Sequence, residues 1–397
     1  MTEKRYVCSK MFTDLNIKFP YDCVKNCCKT NDYVSSIEDV SKDNFFTSNE
    51  EYLRRKADMV INNKLPENGC DTCINMGDYS LFETWNMWDA EKQNAPGIIN
   101  SDLFDTYEMV LSSACDLKCV YCFPKDSTSW AKELGVPQNK GSDEWKKTVI
   151  NNLIQSLKTK TFYDDTQYTF FFSGGEPTYN PETLEFVNEI LKYVPKKNTK
   201  ICISTNVNTK PKVFKKYLDA IQSDLDVNWI FACSIDGVGE VCEAIRHGIS
   251  WETAINNINT LLQQPNVSVR ICPTINLYSV PTMYEFVNFF VDLFKKYNKL
   301  HHEMFSYNMA QEDGMSPANL PPEYKYFLNE SIDYLKRLDI PFYLHLENVR
   351  NIIGTDFYDY KIECIAQKFK YFKDKRPETE WEKLFPHIVY IIGNTDS

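Results

Sequence analysis

The chain has 397 residues, 43% of them hydrophobic, and only 13 glycines, which fits a packed globular protein with room for one large α/β domain plus smaller pieces and excludes a disordered one. Forty-four Lys and Arg against 55 Asp and Glu leave a formal charge of −11, which gives no electrostatic reason to expect a large nucleic-acid footprint. The opening Met1-Thr2-Glu3-Lys4-Arg5 holds no apolar run, and no stretch is long and apolar enough for a membrane span, so a soluble cytoplasmic protein is expected.

Met11 to Phe19 reads as a strand, Pro20 to Cys23 as a turn and Val24 to Cys28 as a returning strand, which makes a hairpin. A helix is expected at about 49–63, followed by the C-x2-C pair Cys70 and Cys73. From residue 106 the chain repeats strand then helix. Strand-like runs fall at 106–111, 167–172, 200–205, 229–235, 267–275 and about 301–307. Helical patterns fall between them at about 143–158, 181–193, 210–222, 250–263 and 281–297. This alternation implies right-handed βαβ units and a parallel sheet, and six strands give a partial (β/α)6 TIM-type barrel. Loops at the C-terminal strand ends then carry the site. Beyond it, 321–338 reads as helix, 341–346 as one more strand, and 355–386 as helical segments. The expected layout is a small N-terminal cysteine-rich domain at 1–100, the α/β partial barrel at 104–310 and a mostly helical extension at 311–397.

Cys115, Cys119 and Cys122 form a C-x3-C-x2-C triplet directly after the first of these strands. In a reducing compartment such cysteines read as metal ligands before disulfides. A cubane iron-sulfur cluster has four irons, so three thiolates leave one iron open for chemistry. Later strands end in small polar clusters. They are Ser173-Gly174-Gly175-Glu176, Ser204-Thr205-Asn206, Ser234-Ile235-Asp236-Gly237 followed by Glu243 and Arg246, and Cys272-Pro273-Thr274-Ile275-Asn276. Glycines let a ligand approach the backbone, Glu176 offers an acceptor for an ammonium, and a guanidinium such as Arg246 clamps a carboxylate. Singly, each is an ordinary turn or helix cap.

In this order, over about residues 104–310, the triplet and the Gly-Gly-Glu motif make the chain resemble the radical S-adenosylmethionine (SAM) enzymes. The resemblance implies that Cys115, Cys119 and Cys122 hold a [4Fe–4S] cluster whose open iron SAM chelates, and that Gly174, Gly175 and Glu176 bind the SAM amino group. It also places Tyr121 and Phe123 near the adenine, and Ser204, Asn206, Ser234 and Arg246 at the ribose and carboxylate. One electron from the cluster then cleaves SAM to a 5′-deoxyadenosyl radical, which abstracts hydrogen from the substrate.

The N-terminal cysteines resemble the "twitch" domain, a shortened SPASM domain holding an auxiliary [4Fe–4S] cluster. The implied ligands are Cys8, Cys27, Cys70 and Cys73, with Cys28 as the alternative in second place; Asp22 stands where that family usually has a glycine. A structural zinc knuckle is the other reading of these residues. Cys23 is a spare, and Cys202, Cys233, Cys242, Cys272 and Cys364 read as buried small hydrophobes. His301, His302, Glu303, Ser306 and His345 are candidates to reach a substrate from the late strands. The expected function is an oxygen-sensitive radical SAM oxidoreductase or transferase fed by flavodoxin or ferredoxin and acting on a peptide or protein side chain. Its alternatives are a nucleotide, tRNA or small-metabolite substrate, and, in another class, a non-enzymatic zinc protein.

Overall fold

The computed structural model describes residues 10–25, 36–42, 45, 49–62 and 104–393. Cys8, Cys27, Cys28, Cys70 and Cys73, and with them the auxiliary ligand set, lie outside the described residues. The chain divides into two compact units, one of Met1–Ser113, Gln138–Cys202 and Asp226–Asn228, the other of Ala114–Pro137, Ile203–Leu225 and Trp229–Ser397.

In the first unit the expected hairpin forms, but its first strand is shorter than the expected Met11 to Phe19, because Lys10–Thr13 is helical and Phe19 already belongs to the turn. β1 (Asp14–Lys18) pairs antiparallel with β2 (Cys23–Lys25), with Ile17 opposite Val24. The turn passes through the 3-10 segment Phe19–Tyr21 to Asp22, which adopts a left-handed conformation at φ 45. Aspartate tolerates that region better than most residues because its short side chain finds local partners. Here its carboxylate accepts the Ser142 N–H, at 2.9 and 3.1 Å to its two oxygens, just ahead of the helix Asp143–Thr159. β1 also runs parallel to β3 (Thr106–Val110), and β3 runs parallel to β4 (Tyr168–Phe172). The hairpin therefore extends the sheet of the first barrel strands. Alternation buries Tyr107 and Met109 of β3 and Phe170 and Phe172 of β4, and the Tyr107 and Phe170 rings stack 4.9 Å apart. The helix Asp143–Thr159 starts at a Ser142 cap and buries Trp145, Val149, Leu153 and Leu157, one per turn.

β5 (Thr199–Thr205) is cut by the division between Cys202 and Ile203. In the second unit β6 (Asn228–Cys233) runs parallel to β7 (Val267–Ile271), with Cys233 opposite Ile271. The helices Pro211–Ser223, Trp251–Leu262 and Met283–Lys296 follow these strands as expected. The chain is thus α/β, with parallel strands and helices alternating.

Three expectations in the later part of the chain are corrected. The run 267–275 is not one strand: it stops at Ile271 and resumes only at Thr274–Ile275, because Pro273 has no N–H to give the ladder. The expected strand at about 301–307 is reduced to a single bridge, Ile271 to Phe305, before Asn308–Met309 pairs with Thr274–Ile275. Residues 341–346, read as a strand, begin a helix, Phe342–Ile352, that buries Phe342, Leu346 and Val349. Those three lie four and three residues apart, and burial at a period of 3.6 overrides the strand preference of Phe-Tyr-Leu.

Candidate active site

The loop after β3 carries the triplet in the second unit. Cys115 is fixed by Thr128: its N–H donates to Thr128 Oγ1 at 3.1 Å, and the Thr128 and Ser129 hydroxyls donate to its carbonyl at 3.0 and 2.9 Å. Ser127 donates to the Leu117 carbonyl at 2.7 Å and also caps the helix Thr128–Leu134. Cys122 N–H closes a turn onto the Cys119 carbonyl at 3.0 Å, and Trp130 Nε1 donates to the same oxygen at 2.9 Å. Lys118–Cys119 pairs antiparallel with Arg246–His247, setting Cys119 opposite Arg246.

That pairing brings a guanidinium to a sulfur. Arg246 Nη1 lies 3.8 Å from Cys119 Sγ, while its Nη2 donates to Asp236 at 3.1 Å and its Nε stands 2.8 Å from the other carboxylate oxygen. Asp236 also accepts the Tyr121 hydroxyl at 2.6 Å and the Thr274 N–H at 2.7 Å. Both charged side chains are buried, Asp236 at 1% and Arg246 at 6% exposure. Burial works against the Arg246 charge, but Asp236 beside it more than restores it. Burial also raises the Cys119 thiol, and it pushes Cys122 up to about 12 with help from neighbouring Cys119.

A second guanidinium approaches from far along the chain. Arg376 Nη2 donates to the Lys118 carbonyl at 2.9 Å, and the group lies over the Trp130 and Phe372 rings at 5.4 and 4.7 Å. Glu133 nearby is engaged by the Lys118 ammonium and by the Tyr371 hydroxyl, the latter at 2.8 Å.

The end of β5 is held just as tightly. Asn206 Nδ2 donates to Asp116 at 3.0 Å, Asn208 donates to the same carboxylate at 3.3 Å, and Asn257 donates to the Val207 and Thr209 carbonyls at 2.9 Å each. Val207 sits at φ 52, an uncommon conformation for a β-branched residue, and these bonds hold it there. Ser234 donates its N–H to Thr205 at 2.7 Å and is half-buried. Phe123 is 42% exposed.

In the first unit, β4 runs into Ser173-Gly174-Gly175-Glu176. Gly174 has φ 75, and a Cβ there would lie 2.3 Å from a Val110 methyl, so only glycine fits. Glu176 is 3% exposed and accepts the Thr178 N–H at 2.9 Å and its hydroxyl at 2.7 Å.

The remaining candidates have structural partners. His301 contacts the Val269 carbonyl and His302 the Asp339 carbonyl, Glu303 pairs with Arg270, and Ser306 lies 2.7 Å from Cys272. His345 packs on Tyr307 at 4.3 Å. Cys233, Cys242 and Cys272 are buried, as small hydrophobes should be, whereas Cys202 and Cys364, expected to be buried too, are only half-buried.

Residues 109–276, which contain the triplet, the Gly-Gly-Glu turn and Arg246, match the family model of the radical SAM superfamily. The match takes in less than half of the chain. The α/β alternation of these residues fits the partial-barrel fold of that superfamily, and that superfamily implies a [4Fe–4S] cluster and SAM. The chain is 25% identical over 233 residues to a cysteine-type anaerobic sulfatase-maturating enzyme of Clostridium novyi, covering 56% of this chain and 57% of that protein. The chain therefore spans less than two thirds of that relative's length. Among solved structures it is similar to SuiB of Streptococcus suis (15% identity, TM-score 0.40, 86% of this chain and 70% of that one). A second similar structure is SuiB bound to the precursor peptide SuiA (14%, 0.41, 84% and 71%).

Among the described residues, no three His, Cys, Asp or Glu side chains gather as they would around a single metal ion. A cubane does not ask for that, since each thiolate binds a different iron. Sequence reasoning singled out Arg246 but missed its pairing with Asp236 and its contact with Cys119, which depend on the ribbon joining 118–119 to 246–247. The Arg376 contact, 258 residues from Lys118, leaves no local signal.

Proposed function

We propose that this chain is a radical SAM enzyme in which Cys115, Cys119 and Cys122 hold a [4Fe–4S] cluster, and that it acts on a peptide or protein side chain. The observation that carries the reading is the setting of the triplet in a matched radical SAM domain: two of its thiols are driven up by burial, and a guanidinium lies 3.8 Å from one sulfur. Buried thiols suit a thiolate cluster because a bound metal takes the proton's place, and Arg246 offers a donor to the ligand sulfur. Bound together, the cluster and SAM supply reductive cleavage to a 5′-deoxyadenosyl radical that takes hydrogen from the substrate.

The chain's own residues then bind and orient. Gly174 and Gly175 bring backbone close to the SAM amino group and Glu176 accepts from it. Tyr121 and Phe123 flank the adenine, and Ser204, Asn206, Ser234 and Arg246 serve the ribose and carboxylate. Asp236 fixes Arg246 and Tyr121 in place, and Asp116 fixes Asn206. Cys8, Cys27, Cys70 and Cys73 hold an auxiliary [4Fe–4S] cluster in a twitch-type segment, and flavodoxin or ferredoxin supplies electrons in the cytoplasm. Support for a protein substrate comes from the Clostridium relative, whose name describes the maturation of another protein.

The test is anaerobic incubation with dithionite and SAM. 5′-Deoxyadenosine is expected from the wild type and none from Cys119→Ala; a variant that still cleaves SAM sinks the ligand assignment, and zinc without iron sinks the enzyme.

A further inference from the structure

Arg376 caps the C-terminal end of the helix Asp359–Lys375, outside the matched domain, and its side chain is 0% exposed. One of its nitrogens reaches the Lys118 carbonyl, next in the chain to Cys119. Its aromatic partner Trp130 donates to the Cys119 carbonyl, so two contacts tie Arg376 to the ligand loop. Among the described residues its Nε and Nη1 have no hydrogen-bond partner and no carboxylate forms an ion pair with it.

The contrast with Arg246 decides what this means. Arg246 is neutralised by Asp236 at 2.8 Å, whereas Glu133, the acid whose charge acts most on Arg376, pairs with Lys118 and Tyr371. A guanidinium stripped of water and given no counter-ion among the described residues is costly, and a bound anion beside it offsets that cost. A cluster bound by three thiolates is such an anion.

We propose that Arg376 is the counter-charge of the cluster at Cys115, Cys119 and Cys122, a positioning residue that braces the ligand loop and makes the cluster easier to reduce. The inference rests on those cysteines holding a cluster. Reduction adds one electron, and so one negative charge, to the cluster; a fixed cation beside it favours the reduced form and raises the potential.

The experiment compares anaerobically purified full-length wild type, Arg376→Gln, Arg376→Lys, and Arg376→Gln combined with Asp236→Asn. Iron per chain and the midpoint potential, from dithionite titration followed by electron paramagnetic resonance, are read for each. With iron retained, Arg376→Gln shifts to a more negative potential and Arg376→Lys stays close to wild type. The double variant, which frees the Arg246 charge, returns towards wild type. Arg376→Gln at the wild-type potential with full iron overturns the proposal, as does Arg376→Lys shifted as far as Arg376→Gln. Should Arg376→Gln lose its iron, Arg376→Lys decides: wild-type potential supports the counter-charge and a shifted one overturns it. A wild type without iron removes the cluster reading itself, and this inference falls with it.

Discussion

At the scale of single residues, the chemistry depends on groups whose charge state is set by burial. His387 illustrates the cost. Burial holds its pKa down to about 4, although Nε2 lies 3.1 Å from the Leu277 carbonyl. The ring is neutral in the folded state, while in the unfolded chain it takes a proton near its ordinary pKa of about 6.5. Below that pH the unfolded state binds more protons, so stability is fully present above about 6.5 and falls as pH drops towards 4, by up to about 3 kcal/mol. Denaturant melts of wild type and His387→Gln between those limits check this: the variant should show the flatter profile, and parallel profiles would remove His387 as the cause. Tyr121 gives a second prediction. Its hydroxyl donates to buried Asp236, so Tyr121→Phe should lower stability by about 1–3 kcal/mol, as hydrogen bonds to charged groups do. A melt indistinguishable from wild type would mean that bond carries no net weight.

At the scale of elements, most of the α/β region is legible in the sequence because its periodicity and its burial agree. β3 and β4 alternate, and the helices Asp143–Thr159 and Trp251–Leu262 begin at serine caps, as local chemistry alone dictates. Legibility fails where tertiary contacts choose between two local options. Phe342-Tyr343-Leu344-His345-Leu346 alternates well enough for a strand, but packing takes Phe342, Leu346 and Val349 into the core and leaves Leu344 49% exposed. A strand would put Leu344 and Leu346 on the same face, so two substitutions separate the pictures. Leu344→Lys should change stability by no more than about 0.5 kcal/mol, as surface changes do. Leu346→Ala should cost about 2–5 kcal/mol. Equal effects in chemical denaturation would contradict the helix. The cysteine triplet and Gly174-Gly175-Glu176 were readable because their spacing is local. The Asp236, Arg246 and Arg376 contacts were not, because they join segments the linear chain keeps apart.

At the scale of the whole molecule, a chain of net charge −11 buries positive guanidinium groups beside its cysteine loop, which fits a site that receives a negative group. Among the described residues no helix is long and apolar enough to cross a membrane. The N-terminal cysteines extend the proposal to a second cluster: Cys70→Ala should lower iron to about half while SAM cleavage partly survives, and unchanged iron would remove Cys70 from any cluster. The central claim is that the cluster at Cys115, Cys119 and Cys122 keeps one iron open for SAM. It is met most directly by the electron paramagnetic resonance spectrum of the dithionite-reduced protein with and without SAM. The account predicts a reduced-cluster signal that SAM changes; a protein with no such signal, or one whose signal SAM leaves untouched, would contradict it.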